Sequence, residues 1–477
     1  MTNQKLTALM LAGALALGLC GGAVLAADPV EPDTSEAQQQ ETGAVQTDGQ
    51  TGQEETGGED TGAPDSSTGG EDTEGETPGE ETPQPDPDPE GTLSFANVDS
   101  RVRAGNLNYL VLEETIAQAE ATDYDKLMED LRERLNDIAN MQWGMITGGG
   151  MIPEIPGMPG EVGDILQGIV SAANSSAAQS LQVQYDAVRE QFDAIKDGTA
   201  QQEAADGIRQ LEDTQNNLVL LTESMYVQLS ELQATRDTLQ RALDAMDRQV
   251  EELELRYELG QISSLALQQA KSGRTTLASQ KQSVDSSIST LTMNLQSMVG
   301  DKPTGTLRLS ALPQVTDGQL EAMDLEADLA AAKEASYTLY AAKKTLDDAE
   351  ETYQDAGQDY NYNENNYQFV QAQHAWQAAQ YTYAGAVQSF ELSFRTLYTQ
   401  VKDYQQVLQA AQTALAVEQD NYAVDQLKYE QGTISENALR TAEDDLATAQ
   451  DTVNTARRNL FSAYNNYRWA VDYGILN

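Results

Sequence analysis

The sequence predicts a mainly α-helical fold, built from long antiparallel coiled-coil hairpins in two tandem repeats with little or no β structure. Two observations predict it. Apolar residues recur every three or four positions over long stretches, the spacing of a heptad seam. An octapeptide also occurs twice, 172 residues apart, as RYELGQIS from Arg256 to Ser263 and KYEQGTIS from Lys428 to Ser435. Such a duplication is typical of an internal repeat.

Each octapeptide lies between two heptad seams. The first pair of seams runs from Leu218 to Tyr257 and from Leu267 to Met298, and the second pair runs from Trp376 to Tyr429 and from Leu439 to Ala470. At 1.5 Å per residue, the first ascending arm is roughly 60 Å long and its return arm roughly 47 Å. The descending seams of the two repeats share one register, so the two hairpins are expected to have matching return arms.

Shorter helical patterns precede each hairpin. They cover Leu107 to Ala139 and Gly163 to Lys196 in the first repeat, and Leu325 to Ala356 in the second. The Pro- and Gly-containing segment from Asp301 to Pro313 joins the repeats and includes a candidate single strand at Thr306 to Leu309. We therefore expect repeat 1 at residues 93–320 and repeat 2 at residues 321–477, as one structural unit.

The N-terminal residues carry export signals. Residues 1–26 have the charged start, apolar stretch and small-residue cleavage pattern of a secretory signal peptide, with Cys20 as an alternative lipidation site. Residues 27–92 form an acidic linker, expected to be disordered, because Asp28 to Thr92 contains twenty Asp and Glu and no Lys or Arg. A tether and a solubilising tail are both consistent with this composition. No later stretch is long and apolar enough for a helical membrane span.

Composition excludes several classes of function. The formal net charge of −49 argues against nucleic acid as a partner, because a polyanion needs a basic patch. Cys20 is the only cysteine and His374 the only histidine, so no metal site, cofactor site or catalytic constellation is predicted. We therefore expect that the protein is not an enzyme.

A Tyr-x-x-Gly turn between long heptad arms, with Ala-Leu-x-x-Ala opening the return helix and two copies per chain, resembles the TolC family of outer-membrane efflux proteins. The resemblance covers Phe95 to Asn477. It implies a trimer in which each chain contributes two hairpins to a hollow helical barrel. It also implies that the hairpin tips dock a membrane-fusion adaptor of an inner-membrane pump.

Carried over by position, the resemblance implies partner docking at the two tips. The residues concerned are Tyr257, Gly260, Gln261 and Ser263 in the first tip and Tyr429, Gly432, Thr433 and Ser435 in the second. The residues themselves also fit a purely structural role. Glycine tolerates the positive φ of a chain reversal, serine caps a following helix, and tyrosine can complete a seam.

The chain departs from the family at two places. The tip residues that constrict the tunnel of the family's best-known member correspond here to Ile434, Ala438 and Thr441, so that gate is not reproduced. Family members also insert two transmembrane strands per repeat, whereas Gly357 to Asn366 offers ten polar residues. Met141 to Gly160 is interrupted by the run Gly148-Gly149-Gly150 and by three prolines. The sequence therefore predicts that the transmembrane strands are missing.

The expected function is that of an exported, TolC-like helical conduit or adaptor-docking protein of the cell envelope or cell surface. The alternative is a cell-surface coiled-coil protein, structural or adhesive, without transport activity.

Overall fold

The computed structural model describes residues 88–148 and 160–476. The predicted signal peptide, Cys20, the acidic linker up to residue 87 and the connection 149–159 lie outside the described residues. Eleven α-helices and two short strands are found within those ranges, and the prediction of a mainly α fold is confirmed.

The first repeat contains β1 (Thr92–Leu93), α1 (Val98–Gly105), α2 (Leu107–Glu120), α3 (Tyr124–Gly148), α4 (Gly160–Asp197), α5 (Thr199–Glu258) and α6 (Ser264–Met298). A connecting segment with β2 (Arg308–Leu309) and α7 (Asp317–Glu321) leads to the second repeat. That repeat contains α8 (Leu325–Ala335), α9 (Tyr337–Asp359), α10 (Tyr367–Glu430) and α11 (Glu436–Tyr473).

The two long hairpins, α5–α6 and α10–α11, lie side by side. Helix α6 packs on α5, α5 packs on α11, and α11 packs on α10. Ion pairs join α5 to α11: Arg248 contacts Asp444 at 2.5 Å, and Arg241 contacts Asp451. This order places α6 at one edge of the layer and the tip-side part of α10 at the other.

Helix α5 begins nineteen residues before the predicted seam, at Thr199 instead of Leu218. Residues 199–217 lack a continuous apolar seam, so periodicity alone could not extend the helix. Polar contacts hold this part in place: Asp206 accepts hydrogen bonds from the Tyr340 hydroxyl and the Lys344 ammonium group of α9.

The main apolar core lies at the base of the hairpins, far from their turns. There β1 pairs with β2 in parallel, so the candidate strand at Thr306 to Leu309 has a partner, which the sequence did not indicate. The buried Tyr226 hydroxyl of α5 donates its single hydrogen to the Ser310 carbonyl (2.6 Å), and the Leu93 carbonyl lies within hydrogen-bond distance of it (3.1 Å). Asp88, within the predicted linker, accepts a hydrogen bond from the Ser94 backbone at 2.9 Å.

Two of the shorter predicted helices are each divided in two. The pattern from Leu107 to Ala139 is interrupted between Glu120 and Tyr124, where Asp123 accepts a hydrogen bond from the Lys126 N–H (3.0 Å) and starts α3. The pattern from Leu325 to Ala356 is interrupted at Ser336, which caps α9 through the Leu339 N–H (3.4 Å). Both interruptions follow from polar caps that apolar periodicity does not reveal.

The repeats differ in one inserted helical pair. Asn106 and Ser336 occupy corresponding helix breaks, and the repeat offset of 172 residues makes Gln371 the equivalent of Thr199. Asn106 precedes Thr199 by 93 residues, whereas Ser336 precedes Gln371 by only 35. The 58 additional residues belong largely to α3 and α4, which pack on each other and join the N-terminal end of α5. In repeat 2 the corresponding connection is the turn at 360–366. None of the described helices is long and apolar enough to cross a membrane.

Candidate functional site: the twin hairpin tips

The first tip is a left-handed glycine turn at the end of α5. Gly260 has φ +70°, and its N–H donates to the Tyr257 carbonyl at 2.9 Å. The next N–H, from Gln261, donates to the Arg256 carbonyl at 2.8 Å. These two bonds define a Schellman motif, which satisfies carbonyls at the end of the helix.

The second tip repeats this geometry. Gly432 has φ +69°, its N–H donates to the Tyr429 carbonyl at 2.8 Å, and the Thr433 N–H donates to the Lys428 carbonyl at 2.9 Å. The Thr433 hydroxyl adds a bond of 2.8 Å to that same carbonyl. A Cβ atom at Gly260 or Gly432 would meet nothing within 4 Å, so conformation, and not space, requires glycine at both turns.

Serine caps both return helices. The Ser263 hydroxyl accepts from the Ala266 N–H, and the Ser435 hydroxyl accepts from the Ala438 N–H, each at 3.2 Å. Both serines have extended backbones, as N-cap residues do. The two tips therefore agree in turn type, cap and hydrogen-bond partners.

The side chains around the turns are turned towards solvent. Tyr257 and Tyr429 are 45% and 40% exposed, so neither completes a buried seam within the chain. Gln261 and Thr433, which follow the turn glycines, are exposed as well. Large apolar side chains share this exposure: Leu255, Leu259 and Leu265 at the first tip and Val424 and Leu427 at the second.

The two tips lie next to each other at one end of the molecule. The Asn437 amide donates to the Glu252 carboxylate at 3.5 Å across the two hairpins. Glu252 precedes Gly260 by eight residues, and Asn437 follows Gly432 by five. At 1.5 Å per residue the two turns are therefore level to within about 5 Å along the helix axes.

The tip halves of both hairpins contain no buried residue within one chain. Residues 251–291 and residues 412–452 are all exposed or half-exposed, although heptad positions continue through both stretches. Within the first hairpin, ion pairs of Arg274 with Asp247 and of Lys271 with Glu254 (2.6 Å) hold the arms together. These ion pairs accompany an apolar seam that is only partly buried within one chain, so part of its surface is available to other chains.

Comparison with solved structures finds proteins of the outer membrane. The chain resembles the outer membrane protein VceC from Vibrio cholerae (18% identity, 57% of this chain and 74% of that one, TM-score 0.37). It also resembles the outer-membrane channel OprN (12% identity, 80% of this chain and 90% of that one, TM-score 0.43) and the CmeC outer membrane channel of Campylobacter jejuni (12% identity, 61% and 68%, TM-score 0.39).

In fold, the chain is similar to outer membrane channels. This agrees with the resemblance to the TolC family predicted from the sequence. At these identities and TM-scores the likeness concerns the fold alone. No protein-family model matches the chain, and no curated protein matches it.

A metal centre is not found in the part of the chain that the structure describes. No group of His, Cys, Asp and Glu side chains there could hold a metal ion. His374 is exposed on α10.

Sequence reasoning missed the junction at the base of each repeat. Gly300 (φ +80°) contacts the Gly105 backbone beside Asn106, and Gly474 (φ +65°) contacts Ser336, so a left-handed glycine meets a buried polar cap in both repeats. The Asn106 amide donates to the Met298 carbonyl at 2.8 Å. The positions of these glycines just after the descending seams were the available signal.

Proposed function

We propose that this protein is an exported component of a TolC-like efflux assembly, in which its hairpins form part of a helical conduit and its tips dock a partner. The supporting observation is the absence of buried residues from 251–291 and 412–452, together with the matched, exposed turns at their ends. Two long hairpins with identical turns at one level suit a repeated, self-associating wall.

The two edges of the helical layer suit each other as surfaces between copies. The outward face of α6 is uncharged and made of small or polar side chains: Gln268, Ser272, Thr276, Ser279, Ser283, Ser286 and Thr290. The four charged residues of α6 are all ion-paired, two with α5 and two with each other. A flat face without charge allows another helix to approach closely.

The opposite edge supplies apolar side chains. Val407, Val417 and Val424 of α10 are each at least half exposed, and they lie on the helix face opposite the buried Phe394 and Val401. Packing α10 of one copy on α6 of the next is a head-to-tail contact, and such contacts form closed rings when the rotation closes. We propose a closed ring of this kind, with three copies as the family resemblance implies.

The proposed partners of the tips are a membrane-fusion adaptor and, through it, an inner-membrane pump. The proposed location is the cell envelope, reached by export through the N-terminal signal. In this arrangement Tyr257, Gln261, Tyr429 and Thr433 face the adaptor, while Gly260, Gly432, Ser263 and Ser435 set the shape of the tips.

Mass measurement of the purified mature chain in solution tests the assembly. We expect an oligomer at micromolar concentration and its loss in the variant Val417→Lys with Val424→Lys. A control with two added charges elsewhere, Gln228→Arg with Gln450→Arg, should remain assembled, since these exposed glutamines lie on α5 and α11. A wild-type monomer would contradict the conduit.

Tip docking is tested by Gln261→Arg with Thr433→Arg. The Gln261 side chain has no hydrogen bond within the described structure, and Thr433 loses only one hydroxyl bond, so helicity and assembly should be kept. Binding to an adaptor from the same organism should weaken, whereas the control Gln228→Arg with Gln450→Arg should bind normally. Unchanged adaptor binding by the tip variant would favour a cell-surface coiled-coil protein without transport.

A further inference from the structure

A cavity of about 360 Å³ lies at the base of the molecule, between the two repeats. Its walls come from α1 and the turn before it, from α5, from residues 313–319 and from the C-terminal part of α11. The volume is within the range of sites for small organic molecules. The cavity is distant from the tips and has no part in the proposed docking.

A buried carboxylate lines this cavity. Glu223 of α5 is only 7% exposed, and its Oε2 accepts hydrogen bonds from the Trp469 indole (2.6 Å) and the Asn465 amide (2.7 Å). Oε1 accepts no hydrogen bond from any described residue, and no ion pair neutralises the group. A carboxylate can accept about four hydrogen bonds, and burying its charge without a cation is costly.

Aromatic rings form much of the remaining wall. Phe95 meets Phe461 edge to face, with ring centroids 4.7 Å apart, and Trp469 packs against Tyr473 at the same centroid distance. Phe461 and Trp469 are buried. Rings of this kind present apolar surface and a negative π face to a ligand.

The charges around the cavity are mostly negative. Besides Glu223, its lining includes Asp99, Asp472 and one cation, Arg468. Arg468 contacts Asp472 at 3.5 Å, and Asp99 is bound by Arg103 at 2.7 Å. Each exposed acid thus has an ion-pair partner, whereas Glu223 forms no ion pair with a described residue, although Arg468 lies near enough to act on its charge.

We propose that this cavity binds a small primary ammonium compound with an aromatic or aliphatic body. An ammonium N–H donates to Glu223 Oε1, and the body packs among Phe95, Phe461 and Trp469. A primary ammonium fits best because Oε1 is free to accept a hydrogen bond and the Glu223 carboxylate has no ion-pair partner among the described residues. Because both repeats line the cavity, a bound ligand also joins them at their base.

Titration calorimetry of the full mature chain with 2-phenylethylammonium tests the proposal, with neutral 2-phenylethanol as the isosteric comparison. We expect binding of the amine and at least tenfold weaker binding of the alcohol, since a hydrogen bond to a charged group is worth more than a neutral one. Glu223→Gln, which keeps an oxygen for Trp469 and Asn465, should weaken amine binding at least tenfold. Asp213→Asn, a half-buried acid on the same helix outside the cavity, should leave it unchanged.

A second variant tests the cavity without changing the buried Glu223. Ala96 is exposed at the cavity lining, so Ala96→Arg should place a competing cation in the cavity, abolish amine binding and leave the melting temperature within a few degrees of wild type. Three results would overturn the proposal. The first is no detectable amine binding up to a concentration of about 10 mM. The others are equal affinity for the amine and the alcohol, or unchanged amine affinity in both Glu223→Gln and Ala96→Arg.

Discussion

Gly432 and Gly474 flank helix α11 and offer a matched test of what a left-handed glycine contributes. Their φ angles are +69° and +65°, so alanine suffers the same conformational strain at both positions. Their surroundings differ. A Cβ atom at Gly432 points into open space, whereas one at Gly474 would overlap the backbone of Ser336.

The expected magnitudes follow from this difference. Gly432→Ala should cost about 1 to 2 kcal/mol of local stability, the price of a left-handed conformation for a residue with a Cβ. Gly474→Ala carries that same strain plus an overlap with rigid backbone, which adds about 1 to 3 kcal/mol. The base variant should therefore lose about 2 to 5 kcal/mol.

Hydrogen exchange with mass spectrometry measures both effects on the full chain. Gly432→Ala should speed exchange only near the second tip, around residues 425–440. Gly474→Ala should speed it at the base, including α8 and the start of α9, because Ser336 lies between those helices. Equal losses at the two sites, or a loss at the base from the tip variant, would refute this reasoning.

Three further outcomes are expected. Burial raises the pKa of Glu223, so the folded chain binds that proton more tightly than the unfolded chain and loses stability as the pH rises from about 4.3 through the raised pKa. Glu223→Gln should therefore have a higher melting temperature than wild type at pH 7, and the difference should shrink towards pH 4. A difference in melting temperature that stays constant with pH would contradict this. Ser435→Ala should cost about 1 kcal/mol at the start of α11, measured by hydrogen exchange, with Ser389→Ala, at an exposed position of α10, as a near-neutral control. Deleting residues 28–87 should leave the melting temperature unchanged, whereas deletion of residues 28–92 should lower it, because Asp88 and Thr92 contact the folded body. Equal melting temperatures of the two deletion variants would show that these contacts contribute nothing to stability.

The hairpins could be predicted because their signal is periodic and local. Apolar positions spaced by three and four residues indicate the arms, and a glycine followed by a serine indicates where each arm reverses. The turn geometry at Gly260 and Gly432 follows from those residues alone. The docking role of the tips stays a prediction, since exposure shows an available surface and not its partner.

The base of the molecule could not be predicted in this way, because it depends on contacts between residues far apart in sequence. Asn106 binds the Met298 carbonyl across 192 residues, and Glu223 meets Trp469 across 246. Neither residue has a local sequence that marks it as buried: Asn106 lies at the break between α1 and α2, and Glu223 lies on the long helix α5. Only the assembled fold shows that Glu223 is buried.

The helical pair α3–α4 is present in one repeat only, so the two ends of the molecule offer different numbers of sites to a partner. Each chain carries two equivalent tips but a single α3–α4 projection, so an assembly of any size offers twice as many sites at the tip end. A partner that recognises the shared turn can bind up to two per chain, whereas a partner of α3–α4 is limited to one. The stoichiometry of a captured partner, measured by native mass spectrometry, therefore distinguishes the end to which it binds.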